Sequence, residues 1–182
     1  MKVVIAGGSG QVGTILARAF LARGAEVVIL SRAARNAGAR IATWDGKTLG
    51  PWARELEGAT ALVNLAGRSV NCRYGAANRR AIIDSRVDST RVLGQAVAGC
   101  TVPPAVWLQA STATIYAHRY DAPNDEMSGV MGGAEPHVPG SWTFSIDVAR
   151  AWERTLDEAA TPKTRKVALR SAMTMSPDPG GI

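Results

Sequence analysis

Seven residues near the start of the chain, Gly7-Gly8-Ser9-Gly10-Gln11-Val12-Gly13, place the tightest limits on its fold. They follow the apolar run at residues 2–6 directly and lead into residues 11–23, whose apolar positions have helical spacing. A glycine-rich turn between a strand and a helix is typical of dinucleotide-binding α/β sheets. In such a turn one glycine permits the bend, another lets the backbone approach a pyrophosphate, and a third allows close packing of helix on strand.

The rest of the chain continues this alternation of short β-branched runs with longer helical stretches, which predicts a Rossmann-type doubly wound α/β fold with a parallel sheet. We predict strands at residues 2–6, 26–30, 40–43, 60–65, 105–110 and 166–170. We predict helices at residues 11–23, 51–56, 76–98 and 144–159. Residues 117–140, rich in Gly, Pro, Asp and Asn, are predicted to form an irregular loop, and loops of this length are often functional.

The residues after the second strand indicate which dinucleotide binds. Sheets that bind NAD place an acidic residue there for the ribose hydroxyls, whereas this chain has Ser31-Arg32, with Arg35 close behind. A guanidinium binds a 2′-phosphate bidentately, and an acid would repel it. We therefore predict NADP(H) rather than NAD, although an Arg32 that only faces solvent is the alternative. The predicted contacts are Gly7, Ser9, Gly10, Gln11, Val12, Gly13, Ser31 and Arg32.

The charge of the chain raises nucleic acid as a partner. The 182 residues carry a formal net charge of +6, and an excess of cations attracts polyanions. The arginines are scattered, however, and no basic stripe interleaved with aromatic residues occurs. We therefore expect a solvated basic surface that suits a polyanionic cofactor, a small-molecule substrate, and no specific nucleic acid.

Other features of the sequence exclude several classes of protein. No apolar run reaches the roughly 20 residues that a membrane span requires, and the apolar start resembles a first strand more than a signal peptide. Cys72 and Cys100 match no metal or redox spacing, so we expect thiols in a reducing, cytoplasmic compartment. His118 and His137 have no ligand pattern around them, so we expect no metal site.

Several segments together resemble one family. The glycine turn, Ser31-Arg32, Trp44-Asp45 and Ala110-Ser111 resemble the extended short-chain dehydrogenase/reductase superfamily. Within it the chain is similar to the atypical "epimerase family" group, often named NAD-dependent or nucleoside-diphosphate-sugar epimerases. The segments that fall in the order of that group are VNLAG, IIDSRVDSTRVL, AWE and LRSAM.

This resemblance implies roles for particular residues. Leu65-Ala66-Gly67 would line the nicotinamide-side ribose and the pyrophosphate, and Arg86 would contact the cofactor. Ser111 would be the active-site serine of the superfamily, and Thr174, within residues 171–174, would border the nicotinamide. Alternatively, Arg86 is only a helix-surface charge and Ser111 only a strand-end hydroxyl.

The sequence departs from the superfamily at the catalytic residues. Standard members carry a Tyr-x-x-x-Lys pair on the helix after strand five, whereas Ser145 and Ala149 occupy those positions here. Tyr116, five residues after Ser111, is the candidate replacement. To act as an acid or base near neutral pH, its pKa of about 10 would have to be lowered by a cation or by the cofactor's charge. The acidic pair Asp125-Glu126 is a second candidate, although a solvated acidic loop is the favoured interpretation.

Residues 1–182 are expected to form one NAD(P)-binding Rossmann domain, the N-terminal part of a longer protein. Extended relatives hold substrate largely with a smaller C-terminal domain, which we expect to be missing from this chain. The resemblance implies an NADP(H)-dependent oxidoreductase or epimerase acting on a small carbonyl or sugar-like substrate. The absent Tyr/Lys pair leaves open a non-catalytic NADP(H)-binding regulator or redox sensor, and a homodimer is left open as well.

Overall fold

A computed structural model of the chain describes residues 1–32 and 38–175. The strands are β1 (Lys2–Ala6), β2 (Glu26–Ser31), β3 (Arg40–Thr43), β4 (Ala61–Asn64), β5 (Val106–Thr112) and β6 (Arg165–Ser171). The α-helices are α1 (Gln11–Ala22), α2 (Ala76–Ala98) and α3 (Gly140–Glu158). Pro51–Leu56 and Ala113–Ile115 form 3₁₀ helices.

The six strands form one parallel sheet in the order β3-β2-β1-β4-β5-β6. The chain runs outward from β1 through β2 to β3 and then returns to pair β4 with the other side of β1. This order confirms the predicted Rossmann-type doubly wound fold. A crevice forms at the carboxyl ends of β1 and β4, where the strand order reverses, and ligands of such sheets bind there.

Helices cover both faces of the sheet, which explains why its central strands are apolar at nearly every position. On one face, Val4 belongs to a core that includes Leu93 of α2 and Leu156 of α3. On the other, Ile5 packs in a core that includes Ala17 of α1. Successive residues of a strand therefore pack into the cores on opposite faces of the sheet. The glycine turn follows the end of β1, between these two cores.

Several elements differ from their predicted bounds or form, including β4, which was predicted at residues 60–65 and is observed at Ala61–Asn64. The helix α3 begins at Gly140, four residues before Phe144, because the Pro139 carbonyl accepts hydrogen bonds from the amides of Trp142 and Thr143. Gly140 and Ser141 are weak helix formers, so the sequence did not indicate this start. Residues 51–56 are helical as predicted but form a 3₁₀ helix. The strand β5 extends two residues beyond its predicted end, since β6 pairs with it as far as Thr112.

Residues 117–139 form the predicted irregular connection between β5 and α3. Its base is held by a bridge between Tyr116 and Met131 and by a 2.7 Å hydrogen bond from the Ala117 amide to the Val130 carbonyl. Within the described part of the chain, no helix combines the length and the apolar character needed to cross a membrane.

Candidate functional site

The turn between β1 and α1 is shaped by two close backbone approaches. Gly7 has a φ of +73°, and a Cβ atom on it would lie 2.8 Å from the Ala66 nitrogen in the loop after β4. A Cβ atom on Gly13 would lie 2.4 Å from the Cα atom of Gly8. Glycine at position 7 therefore permits both the bend and the approach of the β4 loop. Glycine at position 13 allows α1 to pack against the turn.

Gly10, which lies between Gly7 and Gly13 in the sequence, has more open surroundings than either of them. The nearest protein atom to a Cβ on Gly10 would be the Gly7 carbonyl oxygen, at 3.5 Å. Gly10 is also the N-cap of α1, and no side chain of the described residues caps that helix. Among the described residues, no side chain thus accepts a hydrogen bond from the first amides of α1, and an uncapped helix N-terminus is a ready anion site.

The two residues after Gly10 face different surroundings. The side-chain nitrogen of Gln11 is buried and has no hydrogen-bond partner among the described residues. A buried amide without a partner costs free energy unless a ligand supplies an acceptor. Val12 lines a second cavity, whose walls are mostly apolar. Both residues were predicted from sequence to contact the cofactor.

A cleft of about 1150 Å³ runs along the carboxyl ends of β2, β1 and β4. Its lining brings together segments that the sequence analysis singled out separately. The predicted residues that line it are Gly7, Ser9, Gly10, Ser31, Arg32, Trp44, Asp45, Leu65, Ala66 and Gly67. The start of α2 closes the remaining side.

The end of β2 is fixed to the glycine turn. Ser31 is buried, and its hydroxyl donates a 3.0 Å hydrogen bond to the Ser9 hydroxyl. Arg32 follows it as an exposed side chain at the rim of the cleft. Arg35, which the sequence analysis placed close behind, lies outside the described residues. Arg32 therefore lies at the cleft, as predicted, and the side chain of the preceding residue, Ser31, contacts the glycine turn.

A tight turn after β3 forms one end of the cleft. The Asp45 carboxylate accepts hydrogen bonds from the amides of Lys47 and Thr48 at 2.8 and 2.9 Å and from the Thr48 hydroxyl at 2.7 Å. These bonds lower the pKa of Asp45 to about 2. Trp44 packs edge-on against Trp52, with ring centroids 5.3 Å apart. The turn therefore forms a well-defined wall of the cleft, and the Asp45 carboxylate already accepts hydrogen bonds from residues of its own turn.

The loop after β4 is positioned by a buried polar network. The Asn64 side chain accepts from the Ala66 amide at 3.0 Å and donates to the Gln109 side-chain oxygen at 3.0 Å and to the Thr90 hydroxyl at 3.3 Å. Trp152 of α3 donates to the same Thr90 hydroxyl at 3.1 Å. The network thus connects β4, α2, β5 and α3, and it holds Ala66 where Gly7 approaches it.

Arg86 lies on α2 beneath this loop. Its guanidinium donates to the carbonyls of Arg68 and Ile82 at 3.1 and 3.0 Å and lies 5.0 Å from the centre of the Trp152 ring. Burial lowers its pKa, and no carboxylate within the described ranges pairs with it. A Cβ on Gly67 would lie 3.1 Å from the Arg86 Cζ atom. This residue is therefore not a surface charge, and it reaches the loop that borders the cleft.

A second cavity, of about 360 Å³, lies beyond Leu65, which lines both spaces. Most of its walls are apolar, and hydroxyl groups of β5 and of the residues after it are exposed to it. The predicted site residues that line it are Val12, Leu65, Arg86, Ser111 and Thr174. The other lining residues are Val70, Tyr74, Ile82, Ala110, Thr112, Thr114, Phe144, Ser145, Val148, Trp152, Ser171 and Ala172.

Ser111 is the cavity-facing end of a chain of polar contacts. Its hydroxyl donates a 2.5 Å hydrogen bond to Glu153 of α3, and Glu153 also accepts two hydrogen bonds, at 2.9 and 2.8 Å, from Arg170 of β6. Burial alone would raise the pKa of Glu153. The hydrogen bonds from Arg170 and Ser111 and the Arg170 charge outweigh burial and hold that pKa below its ordinary value. Ser111 therefore faces a carboxylate that is ionised at neutral pH.

Tyr116 lies on the other side of Arg170. Its buried hydroxyl accepts a 2.7 Å hydrogen bond from Arg170, and it does not line the cavity that Ser111 lines. The structure thus joins Tyr116 to Ser111 only through Arg170 and Glu153. Asp125 is exposed and caps its own turn by accepting from Met127 and Ser128, as the solvated-loop interpretation expected.

Comparison with known proteins places these features in a family. The model of the family described as "NAD dependent epimerase/dehydratase" matches residues 3–137. The chain belongs to this family. The predicted resemblance to the epimerase-family group is thereby confirmed. The family's match covers the glycine turn, the cleft and Ser111, and it ends before α3.

The relatives within the epimerase family are longer than this chain. The "Epimerase family protein SDR39U1" of Bos taurus is 30% identical over 187 residues, which cover 100% of this chain and 57% of the relative. A crystal structure of human SDR39U1 isoform 2 with NADPH superposes with a TM-score of 0.81 at 28% identity and covers 100% of this chain and 56% of that one. The nucleoside-diphosphate sugar epimerase from Corynebacterium glutamicum has a TM-score of 0.68 at 30% identity, with 93% and 33% covered. The chain thus spans about half the length of the first two relatives.

Two residues of the polar chain, Glu153 and Arg170, had no role in the sequence analysis. Both stand in segments that carried the family resemblance, Glu153 in AWE and Arg170 in LRSAM. Their place within these segments was the signal that the sequence offered, since a charged residue inside a segment typical of a family is a candidate for function. Ser145, which replaces the standard tyrosine, lines the cavity, whereas Ala149 is buried beside Tyr116.

Proposed function

We propose that this chain binds NADP(H) and serves an oxidoreductase or epimerase reaction on a small substrate. The observation that carries the proposal is that the two cavities are neighbours and share Leu65 in their lining. The cleft extends from Arg32 past the glycine turn to Leu65, and the apolar cavity extends from Leu65 to Ser111. An extended dinucleotide lying in this crevice would have its nicotinamide in the cavity that Ser111 lines. The bound cofactor supplies hydride transfer, and the protein positions the substrate.

The charges around the cleft support NADP(H) as the dinucleotide. Arg32, Lys47, Arg68 and Arg80 line it, against the carboxylates of Asp45 and Asp84. Cations outnumber acids in this lining, which suits a ligand with three phosphates. The NADPH found in the human relative supports the same assignment.

Arg32 is the residue that we expect to select NADP(H) over NAD(H). Losing a charge-assisted hydrogen bond costs about 1.5–3 kcal/mol, so Arg32→Ser is expected to weaken NADPH binding by roughly 10- to 100-fold. NADH binding should remain unchanged, because NADH has no 2′-phosphate. Isothermal titration calorimetry with both nucleotides measures the two affinities.

Arg54→Ser is the matched control for this experiment, since Arg54 is exposed on a 3₁₀ helix and lines neither cavity. It should leave both affinities unchanged. Equal losses for NADPH and NADH in Arg32→Ser would show that Arg32 does not contact the 2′-phosphate. If the unaltered protein gives no heat with NADP+ or NADPH at millimolar concentration, the proposed function is wrong.

We assign the acid–base role of the missing Tyr/Lys pair to Ser111 and Glu153. Ser111 would contact the reacting oxygen of the substrate, and Glu153, which does not line the cavity, would accept a proton through it. Arg170 would position the carboxylate from behind, and Tyr116 would support Arg170. The catalytic role that we predicted for Tyr116 itself stays a prediction, and its contacts favour a positioning role.

Ser111→Ala tests this assignment. Removing a general acid–base group typically costs about 10²- to 10⁴-fold in rate, so we expect a loss of that size in NADPH oxidation by a carbonyl substrate, with NADPH affinity unchanged. A Ser111→Ala variant that keeps full turnover would contradict the role of Ser111.

A cofactor-binding regulator is the second candidate function. Ser145 and Ala149 stand where the superfamily has its tyrosine and lysine, and this replacement favours a fold that has kept the cofactor and lost the chemistry. A protein that binds NADPH but oxidises it with no member of a broad carbonyl panel would support this candidate. Turnover of any member would contradict it.

A further inference from the structure

The apolar cavity has a wall that the cofactor contacts do not account for. Val12 and Leu65 come from the glycine turn side, whereas the opposite lining comes from α2, α3 and the loop between β4 and α2. In that lining, Ile82, Phe144 and Val148 form one buried apolar cluster. Tyr74 extends the cluster, edge-on to Phe144 with ring centroids 5.3 Å apart. Whatever binds beside the nicotinamide therefore contacts aliphatic and aromatic groups.

Three hydroxyl groups of the cavity donate their protons to protein acceptors. Ser111 donates to Glu153, Thr112 donates to the Thr114 hydroxyl, and Ser145 donates to the Ser141 carbonyl. A hydroxyl oxygen whose proton is committed in this way can still accept a hydrogen bond. These three oxygens thus complement an occupant that carries an O–H donor.

Arg86 is the one charged residue among the described residues that line this cavity. Its guanidinium donates to two backbone carbonyls and lies beside Gly67 of the cofactor cleft. We therefore assign Arg86 to the cofactor. The rest of the described lining carries no charged side chain, and the Arg79 guanidinium, which lies 4.7 Å from the centre of the Phe144 ring, is not part of that lining. A nucleoside diphosphate sugar would place a diphosphate and several hydroxyls against that lining, and buried polar groups without partners are costly.

We propose that this cavity binds a small, uncharged, largely apolar alcohol and its carbonyl oxidation product, with the oxygen on Ser111, and that it excludes nucleoside diphosphate sugars. This inference rests on the proposed function and names its substrate class. The reaction is oxidation of the alcohol by NADP+. The carbinol C–H bond breaks and its hydride passes to the nicotinamide, while the hydroxyl proton passes to Ser111 as the Ser111 proton moves to Glu153. The products are the carbonyl compound, NADPH and protonated Glu153, which then returns its proton to solvent.

Calorimetry on the full chain saturated with NADPH tests the substrate class without any turnover. The probes are 1-phenylethanol, which cannot react because both it and NADPH are reduced, and UDP-glucose. We expect binding of 1-phenylethanol in the millimolar range and no heat from UDP-glucose at the same concentration. Tighter binding of UDP-glucose, or no binding of 1-phenylethanol, would overturn the inference. Failure of NADPH itself to bind would instead overturn the proposed function.

The only two phenylalanines of the chain, Phe20 and Phe144, provide a matched pair of variants. Phe144→Leu should weaken 1-phenylethanol binding at least about threefold, because it removes an aromatic wall of the cavity. Phe20→Leu makes the same change on α1, in the core on the opposite face of the sheet, and should leave that binding unchanged. Phe20→Leu should also bind NADPH like the parent chain, and each variant is titrated after saturation with NADPH. Equal effects of the two variants would contradict the assigned wall.

Ser111→Ala gives a second measurement, which is informative even if the Phe144→Leu variant does not fold. It should weaken 1-phenylethanol binding but leave ethylbenzene, which has no hydroxyl, unaffected. Equal losses for both probes would show that Ser111 does not hold the oxygen.

Discussion

At the residue scale, Gly10 and Gly13 belong to one turn, but the absence of a side chain serves a different purpose at each. At Gly13 it allows close backbone packing, and at Gly10 it leaves open space. A methyl group on Gly13 would lie 2.4 Å from the Gly8 Cα atom, so this glycine is required by the fold itself. A methyl group on Gly10 would have its nearest protein neighbour at 3.5 Å, and its φ of −80° suits any residue. We therefore infer that the requirement for glycine at position 10 comes from the ligand.

This difference predicts opposite effects of the same substitution. Gly13→Ala should lower the free energy of unfolding by about 1–3 kcal/mol, as overpacking does. Gly10→Ala should leave stability nearly unchanged and weaken NADPH binding by at least about tenfold, or ~1.4 kcal/mol. Urea unfolding and calorimetry measure the two quantities. Loss of stability in Gly10→Ala with unchanged NADPH affinity would contradict the inference.

At the scale of elements, the Glu153–Arg170 pair connects α3 to β6, the edge strand of the sheet. Ser111 and Arg170 are direct neighbours across the β5–β6 register, and Glu153 lies over both from α3. The pair is partly exposed, and the side chain of Arg170 keeps 28% of its accessible surface. Partial exposure limits its contribution to stability through solvent screening. Its geometry nevertheless fixes the wall of the cavity that Ser111 lines.

The lowered pKa of Glu153 gives this connection a pH dependence with a defined sign. A carboxyl group whose pKa is lower in the folded state stabilises the fold fully above its ordinary value of 4.5 and loses that contribution as pH falls through the lowered pKa. Glu153→Gln should therefore reduce stability at pH 7 and make the acid decline of stability shallower. Urea unfolding at several pH values measures both.

Glu158→Gln is the control for the pH series, because Glu158 is an exposed residue of the same helix. It should leave the acid decline as it is in the parent chain. An identical pH profile for Glu153→Gln and the parent would show that the pair does not stabilise the fold.

At the scale of the whole molecule, the proposed ligand would contact the ends of four neighbouring strands, β3, β2, β1 and β4. The cleft is lined by the β1–α1 turn, the ends of β2 and β3, the loop after β4 and the start of α2. A ligand that bridges these elements binds the folded chain and has no comparable site on the unfolded one. Its binding free energy therefore adds to the stability of the fold.

NADPH is thus expected to stabilise the chain by an amount that grows with the logarithm of the ratio of its concentration to its Kd. At 100 times its Kd it should raise the free energy of unfolding by about 2.7 kcal/mol. Thermal unfolding at increasing NADPH concentrations measures this gain, and NADH at equal concentration should give a smaller one. A Tm that does not respond to NADPH would contradict binding in the cleft.

The sheet and the glycine turn between β1 and α1 could be predicted from the sequence, because both follow from local spacing and from residue types that few other structures require. The placement of Ser31 and Arg32 beside that turn could be predicted in the same way. Which side chains meet around Ser111 is seen only in the folded chain. Glu153 is 42 residues from Ser111 along the chain, and Arg170 is 17 residues further on. Local periodicity assigns a residue to a face of its helix or strand but does not identify its neighbour across the fold. The partner of Ser111 therefore depends on how α3 packs over β5 and β6.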